Sequence, residues 1–126
     1  MQKLKTPARL IFGILWLVFG LNFFFHYLPM PPPNEAEGAF LGAMFATGYF
    51  FQVVKVLEIL VGLLLVTNYF VPLSLVLIAP ITVNIFLIHL FLDQSGLPVA
   101  ILMVLLNAFL GLCYLENFKP MLKAKS

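Results

Sequence analysis

Apolar residues gather along this chain into four long runs, at about residues 9–27, 49–66, 71–92 and 97–115, separated by short polar or proline-rich breaks. At a rise of about 1.5 Å per residue, some 20 helical residues cross the roughly 30 Å hydrocarbon layer of a bilayer. Each run therefore predicts a membrane-spanning helix. Between the first two runs, Leu28–Glu37 (LPMPPPNEAE) carries four prolines and two acids, which predicts a non-helical segment outside the bilayer. Gly38–Gly48 (GAFLGAMFATG) is apolar and rich in small residues but too short to cross, which predicts an interfacial or re-entrant helix against the bundle. Thr67–Phe70 and Asp93–Gly96 predict tight turns, and Pro80 inside the third run predicts a kink. The fold class is all-α: a four-transmembrane-helix bundle with one short extra helix, forming a single domain over residues 1–126.

The few polar groups inside the runs say how the helices face. Lys55 and Glu58 stand three apart in the second run, so a helix places them on one face within mutual reach. Ionised groups deep in hydrocarbon cost several kcal/mol, from about 3 to above 10 by different measures, and turn inward and pair. The other spans must surround this helix. Gly62 follows on the same stripe, and Gly13 and Gly20 share a face of the first run; missing side chains let helices come close. Asn22 and His26 share a different face of the first run, Asn84 and His89 lie in the third, and Asn107 shares a stripe of the fourth with Ala100, Gly111 and Tyr114. LNFFFH in the first run is faintly echoed by VNIFLIH in the third, which either duplication of a two-helix unit or chance explains.

Composition narrows the class. Of 126 residues, 63% are hydrophobic and 10% charged, against about 25% charged in an ordinary soluble domain. The chain has no room for a soluble catalytic module beside its spans. A net charge of +2 is too small to argue for a nucleic-acid partner. The single cysteine, Cys113, excludes an internal disulfide and a Cys-x-x-Cys pair and reads as a packing residue. No Ser–His–Asp set, phosphate loop or metalloprotease helix occurs. The first run is too long for a signal-peptide core and is expected to be retained.

Charge also orients the bundle. The N-terminal arm and C-terminal tail hold six of the seven Lys and Arg, while the loops after the first and third runs carry only Glu35, Glu37 and Asp93. The positive-inside rule places both termini in the cytoplasm. Asn22, His26, Lys55, Asn84 and His89 then fall in the outer half of the bundle, with Glu58 and Asn107 near its middle. These seven residues are the expected lining of a polar pocket open toward the outside.

The segments RLIFGxxxLVFGLNFF, VKVLEILVGLLLVTNYFVPLSLVLIAP and NIFLIHLFLD resemble the DoxX family of small four-helix membrane proteins, with Arg9, Gly13, Gly20, Glu58, Gly62 and His89 at the matching positions. Many members have Lys just after the second glycine of the first span, where this chain has Asn22. The resemblance implies a bacterial inner-membrane protein, a quinone or similar lipophilic ligand, and a membrane oxidoreductase as partner, without fixing one reaction. The residues leave alternatives open. Lys55 and Glu58 are either a register-setting ion pair or, with a histidine, groups for proton-coupled chemistry. His26 and His89 read as hydrogen-bonded imidazoles before they read as axial ligands of a haem, for which bulky Phe and Leu leave little space, or as a metal site with Glu58. No metal is assigned, and self-association into a homo-oligomer is left open.

Overall fold

The computed structural model describes residues 2–25, 34–92 and 94–124. Among these there is no strand. The helices are α1 (Gln2–Phe25), α2 (Glu35–Phe45), α3 (Phe50–Thr67), α4 (Val71–Phe91), α5 (Leu97–Cys113) and the short α6 (Leu115–Phe118), with 3₁₀ turns at Gln94–Gly96 and Lys119–Leu122. Four of them, α1, α3, α4 and α5, are long and apolar enough to cross a membrane. Their outward faces agree: Val53, Val56, Leu60 and Leu63 of α3, and Leu73, Leu77, Val83 and Leu87 of α4, are all exposed. Apolar surface of this extent on helices of this length suits a lipid environment. This is a multi-pass membrane protein.

Each helix packs on two neighbours, in the ring α1–α3–α4–α5, while α1 and α4 scarcely touch across the diagonal. The tightest seam is α1 on α3, and glycine makes it. A Cβ at Gly62 would lie 2.8 Å from the Gly13 carbonyl oxygen and 2.7 Å from Leu17 Cγ. One at Gly20 would lie 2.8 Å from Ile59 Cγ1. Without side chains at these points the two backbones pack directly on one another.

The bundle has a packed end and a hollow end. Phe12 and Trp16 of α1, Val61 and Leu65 of α3, Leu75 and Ile78 of α4, and Leu110 of α5 fill the packed end as one core. Arg9 is buried with them. Its Nη1 donates to the Leu65 carbonyl and, at 3.2 Å, to the Val66 carbonyl. These are among the last carbonyls of α3, which have no helical partner of their own. The left-handed Asn68 caps the same helix end, its N–H donating to the Leu64 carbonyl. The packed end also joins the first and last spans, because the Lys5 amine sits 4.2 Å from the centre of the Tyr114 ring.

Several expected boundaries move. α1 starts at Gln2 rather than near Arg9; Gln, Lys and Leu favour helix, and the added turns carry Lys5 to Tyr114. Its last residue is Phe25, and His26 and Tyr27 lie outside the described residues. The short helix spans Glu35–Phe45 instead of residues 38–48, so Glu35 and Glu37 are helical. Asn34 is the cause: its Oδ1 accepts from the Glu37 N–H at 2.8 Å, and two acids in the first turn complement the helix dipole. The prolines at 29 and 31–33 lie outside the described residues. α4 runs on through Pro80 as one helix. In the basic tail, residues 115–122 form short helical turns, where Lys119 meets Glu116 at 2.7 Å as an exposed pair, a type worth little.

Candidate ligand cavity

The hollow end is built by the half of each span away from the packed core. Val61, Gly62 and Leu65 bury one stripe of α3, and Glu58 lies one turn before them on that stripe. Packing therefore draws its carboxylate inward. Lys55 Nζ donates to Glu58 Oε1 at 3.3 Å, with side-chain exposures of 21% and 2%. A carboxylate this enclosed is tolerable only with a partner, and the ammonium one turn away supplies it.

The pair faces a cavity of about 780 Å³, within the range that holds small-molecule ligands. α1 contributes Trp16, Phe19, Asn22 and Phe23; the first turns of α3 contribute Phe50, Phe51 and Val54. Ile81, Ile85 and Ile88 of α4 and Val99, Ala100 and Met103 of α5 complete an apolar wall. Phe23 and Phe51 stack with ring centres 5.9 Å apart. Glu37, Leu41 and Met44, spaced to share one face of α2, close the far side. α2 has no buried residue. It is fixed at its start by Asn34, whose Nδ2 donates to the Leu92 carbonyl at 2.6 Å, and at its end by the turn through Gly48 (φ +81°) into α3.

Two further polar groups sit in this wall. His89 Nδ1 lies 2.9 Å from the Ile85 carbonyl oxygen. A carbonyl only accepts, so Nδ1 carries a proton and Nε2 is the ring position left for another partner. The ring lies against Gly96, where a Cβ would collide with Cδ2 and Nε2. Trp16 is 1% exposed, and its Nε1–H has no acceptor among the described residues. A buried indole N–H usually has one.

Five of the seven residues expected in the pocket line this cavity: Asn22, Lys55, Glu58, Asn84 and His89. They differ in setting, since Asn22 is buried while Asn84 stands at the exposed edge. His26 lies outside the described residues. Asn107 does not reach the cavity, which is a correction. It shares the α5 stripe of Ala100 and Met103, but stands one turn beyond Met103, toward the packed core, where its Oδ1 is buried without a hydrogen-bond partner among the described residues.

Trp16, Gly96 and Glu37 were missed. The chain's single tryptophan lies mid-helix, away from the interfacial belt that tryptophan favours, and that was a readable signal. Glu37 stands three residues after Asn34, a helix-start spacing. Nothing in the sequence pointed to Gly96. Among the described residues no three His, Cys, Asp or Glu come together to hold a metal ion. No family model, curated protein or solved structure matches the chain.

Proposed function

We propose that this cavity binds a small lipophilic ligand of the quinone class and that the protein serves a membrane redox system as its binding or accessory subunit, in the manner of DoxX-like proteins. The observation that carries the reading is the Lys55–Glu58 pair, its carboxylate 2% exposed, in the wall of a ligand-sized and mainly apolar and aromatic cavity that also bears Asn22, Glu37, Asn84 and His89. Ionisable residues inside a membrane bundle mark substrate or proton pathways unless packing alone explains them. A quinone carbonyl accepts hydrogen bonds, which Lys55 and the Trp16 indole can donate. The hydroxyls of its reduced form donate as well, and the Glu58 carboxylate and His89 Nε2 can accept. The aromatic and isoleucine walls suit a flat ring. In this reading the protein sits in a bacterial inner membrane with its lysine-rich packed end in the cytoplasm.

A second reading, an enzyme using Lys55, Glu58 and His89 for proton-coupled chemistry on the same ligand, is favoured by the presence of all three in one cavity. Both readings meet the same first test. Trp16 is the chain's only tryptophan and lines the site, so its emission reports the cavity alone. Titration with 2,3-dimethoxy-5-methyl-1,4-benzoquinone is expected to quench it saturably. Affinity should fall about tenfold or more, some 1.4 kcal/mol, in the Lys55→Met, Glu58→Leu double variant. Linear quenching that is the same in both proteins would rule the ligand reading out.

A further inference from the structure

The cavity and the membrane-facing surface share part of one wall. Pro80 and Asn84 line the cavity, and the same two residues line a shallow groove on the outward face of α4 with Val76, Ala79, Val83 and Leu87. Cavity and groove therefore meet at Pro80 and Asn84. The chemistry at this lip is unlike the rest of the face. Asn84 is exposed among residues that are otherwise apolar, where lipid offers an amide no hydrogen bond. Pro80 has no N–H to give the Val76 carbonyl one turn earlier, so a second polar group is left over beside it. Two such groups within two turns of a lipid-facing helix are unfavourable unless polar matter passes or rests there.

We propose that the ligand is a single-tailed amphiphile that enters from the bilayer through this lip, its polar head moving past Asn84 to Lys55 and Glu58 while its hydrocarbon tail stays along the α4 groove. The proposal rests on the ligand reading above and adds the tail and the route. Entry from water would draw every methylene of the tail out of hydrocarbon, each at a cost. Lateral entry leaves the tail where it already lies. The groove adds no attraction beyond that of lipid, which is as apolar as its walls; its part is to leave room for the tail of the bound ligand, so a side chain that fills it clashes with the tail and weakens only tailed ligands.

The test uses two probes in nanodiscs, each referred to its concentration in the bilayer: the tailless benzoquinone named above and its decyl derivative, both read by Trp16 quenching. Val83→Phe and Ala79→Phe narrow the groove without touching the cavity lining. They are expected to weaken the decyl probe by about tenfold or more and leave the tailless probe within about twofold, so the tailless probe also certifies that each variant is folded. Equal effects on both probes, or no effect on either, would overturn the lateral route while the ligand reading stands. A variant that changes only the size of the assembly assigns the groove to a second copy of the chain and equally overturns it. If neither probe quenches the wild-type protein saturably, the ligand reading fails and the route fails with it.

Discussion

Glu58 is among the most enclosed side chains of the bundle, while its partner Lys55 keeps a fifth of its side chain exposed at the cavity. This asymmetry sets what truncation should do. Removing Lys55 alone strands the buried Glu58 carboxylate and is expected to cost about 3–5 kcal/mol, removing Glu58 alone strands the more open Lys55 ammonium and costs less, and replacing both by apolar residues can be close to neutral. Thermal unfolding in detergent should thus rank Glu58→Leu below the Lys55→Met, Glu58→Leu double variant. The reverse ranking would show that the two charges do not neutralise each other. The pair was legible because a three-residue spacing fixes a shared helix face whatever surrounds it. Asn107 was not, because a helical stripe gives a face but no depth at which the cavity stops. Its position depends on where Met103, Leu110 and the α1 aromatics close the core, a long-range packing outcome.

At the scale of elements, the α1–α3 seam depends on Gly13, Gly20 and Gly62, and it holds Glu58 beside α1. Gly62→Val would drive a side chain against Leu17 and the Gly13 carbonyl. Overpacking of this kind costs typically about 1–3 kcal/mol, and chemical unfolding in mixed micelles should show a loss of that size. Full retention of stability would mean that the helices are not in direct backbone contact there. The glycine faces could be read from spacing, and the four spans from apolar length alone. The start of α2 could not, since the proline run before it argued against helix up to Glu37. The local signal was present all the same: Asn34 followed three residues later by Glu37 is a helix-start pattern. In the fold Asn34 does both jobs, capping α2 and tying it to the end of α4.

For the whole molecule, the division into a packed end and a hollow end organises everything else. Four passes bring Lys5 to Tyr114 at the packed end, and Arg9 closes the last carbonyls of α3 beside them. The cavity lies at the other end under α2. The proposed orientation, with the lysine-rich packed end in the cytoplasm, follows the positive-inside rule. Cysteines introduced at Asn34 or Gln94, with Cys113 replaced, should accordingly react with impermeant reagents from outside the cell; labelling from the cytoplasm alone would reverse the orientation. A tail of about ten methylenes drawn through water would cost on the order of 8 kcal/mol at about 0.8 per methylene, which is why a site at this end favours loading from the bilayer. The most direct measurement of the ligand reading is mass spectrometry of the lipophilic molecules that co-purify with the wild-type chain and with the stable Lys55→Met, Glu58→Leu double variant. The expected result is a near-stoichiometric amphiphile of the quinone class with the wild type that is lost from the double variant. Identical lipid profiles from both proteins, with no such molecule in either, would contradict a ligand site and leave the buried pair a purely structural device.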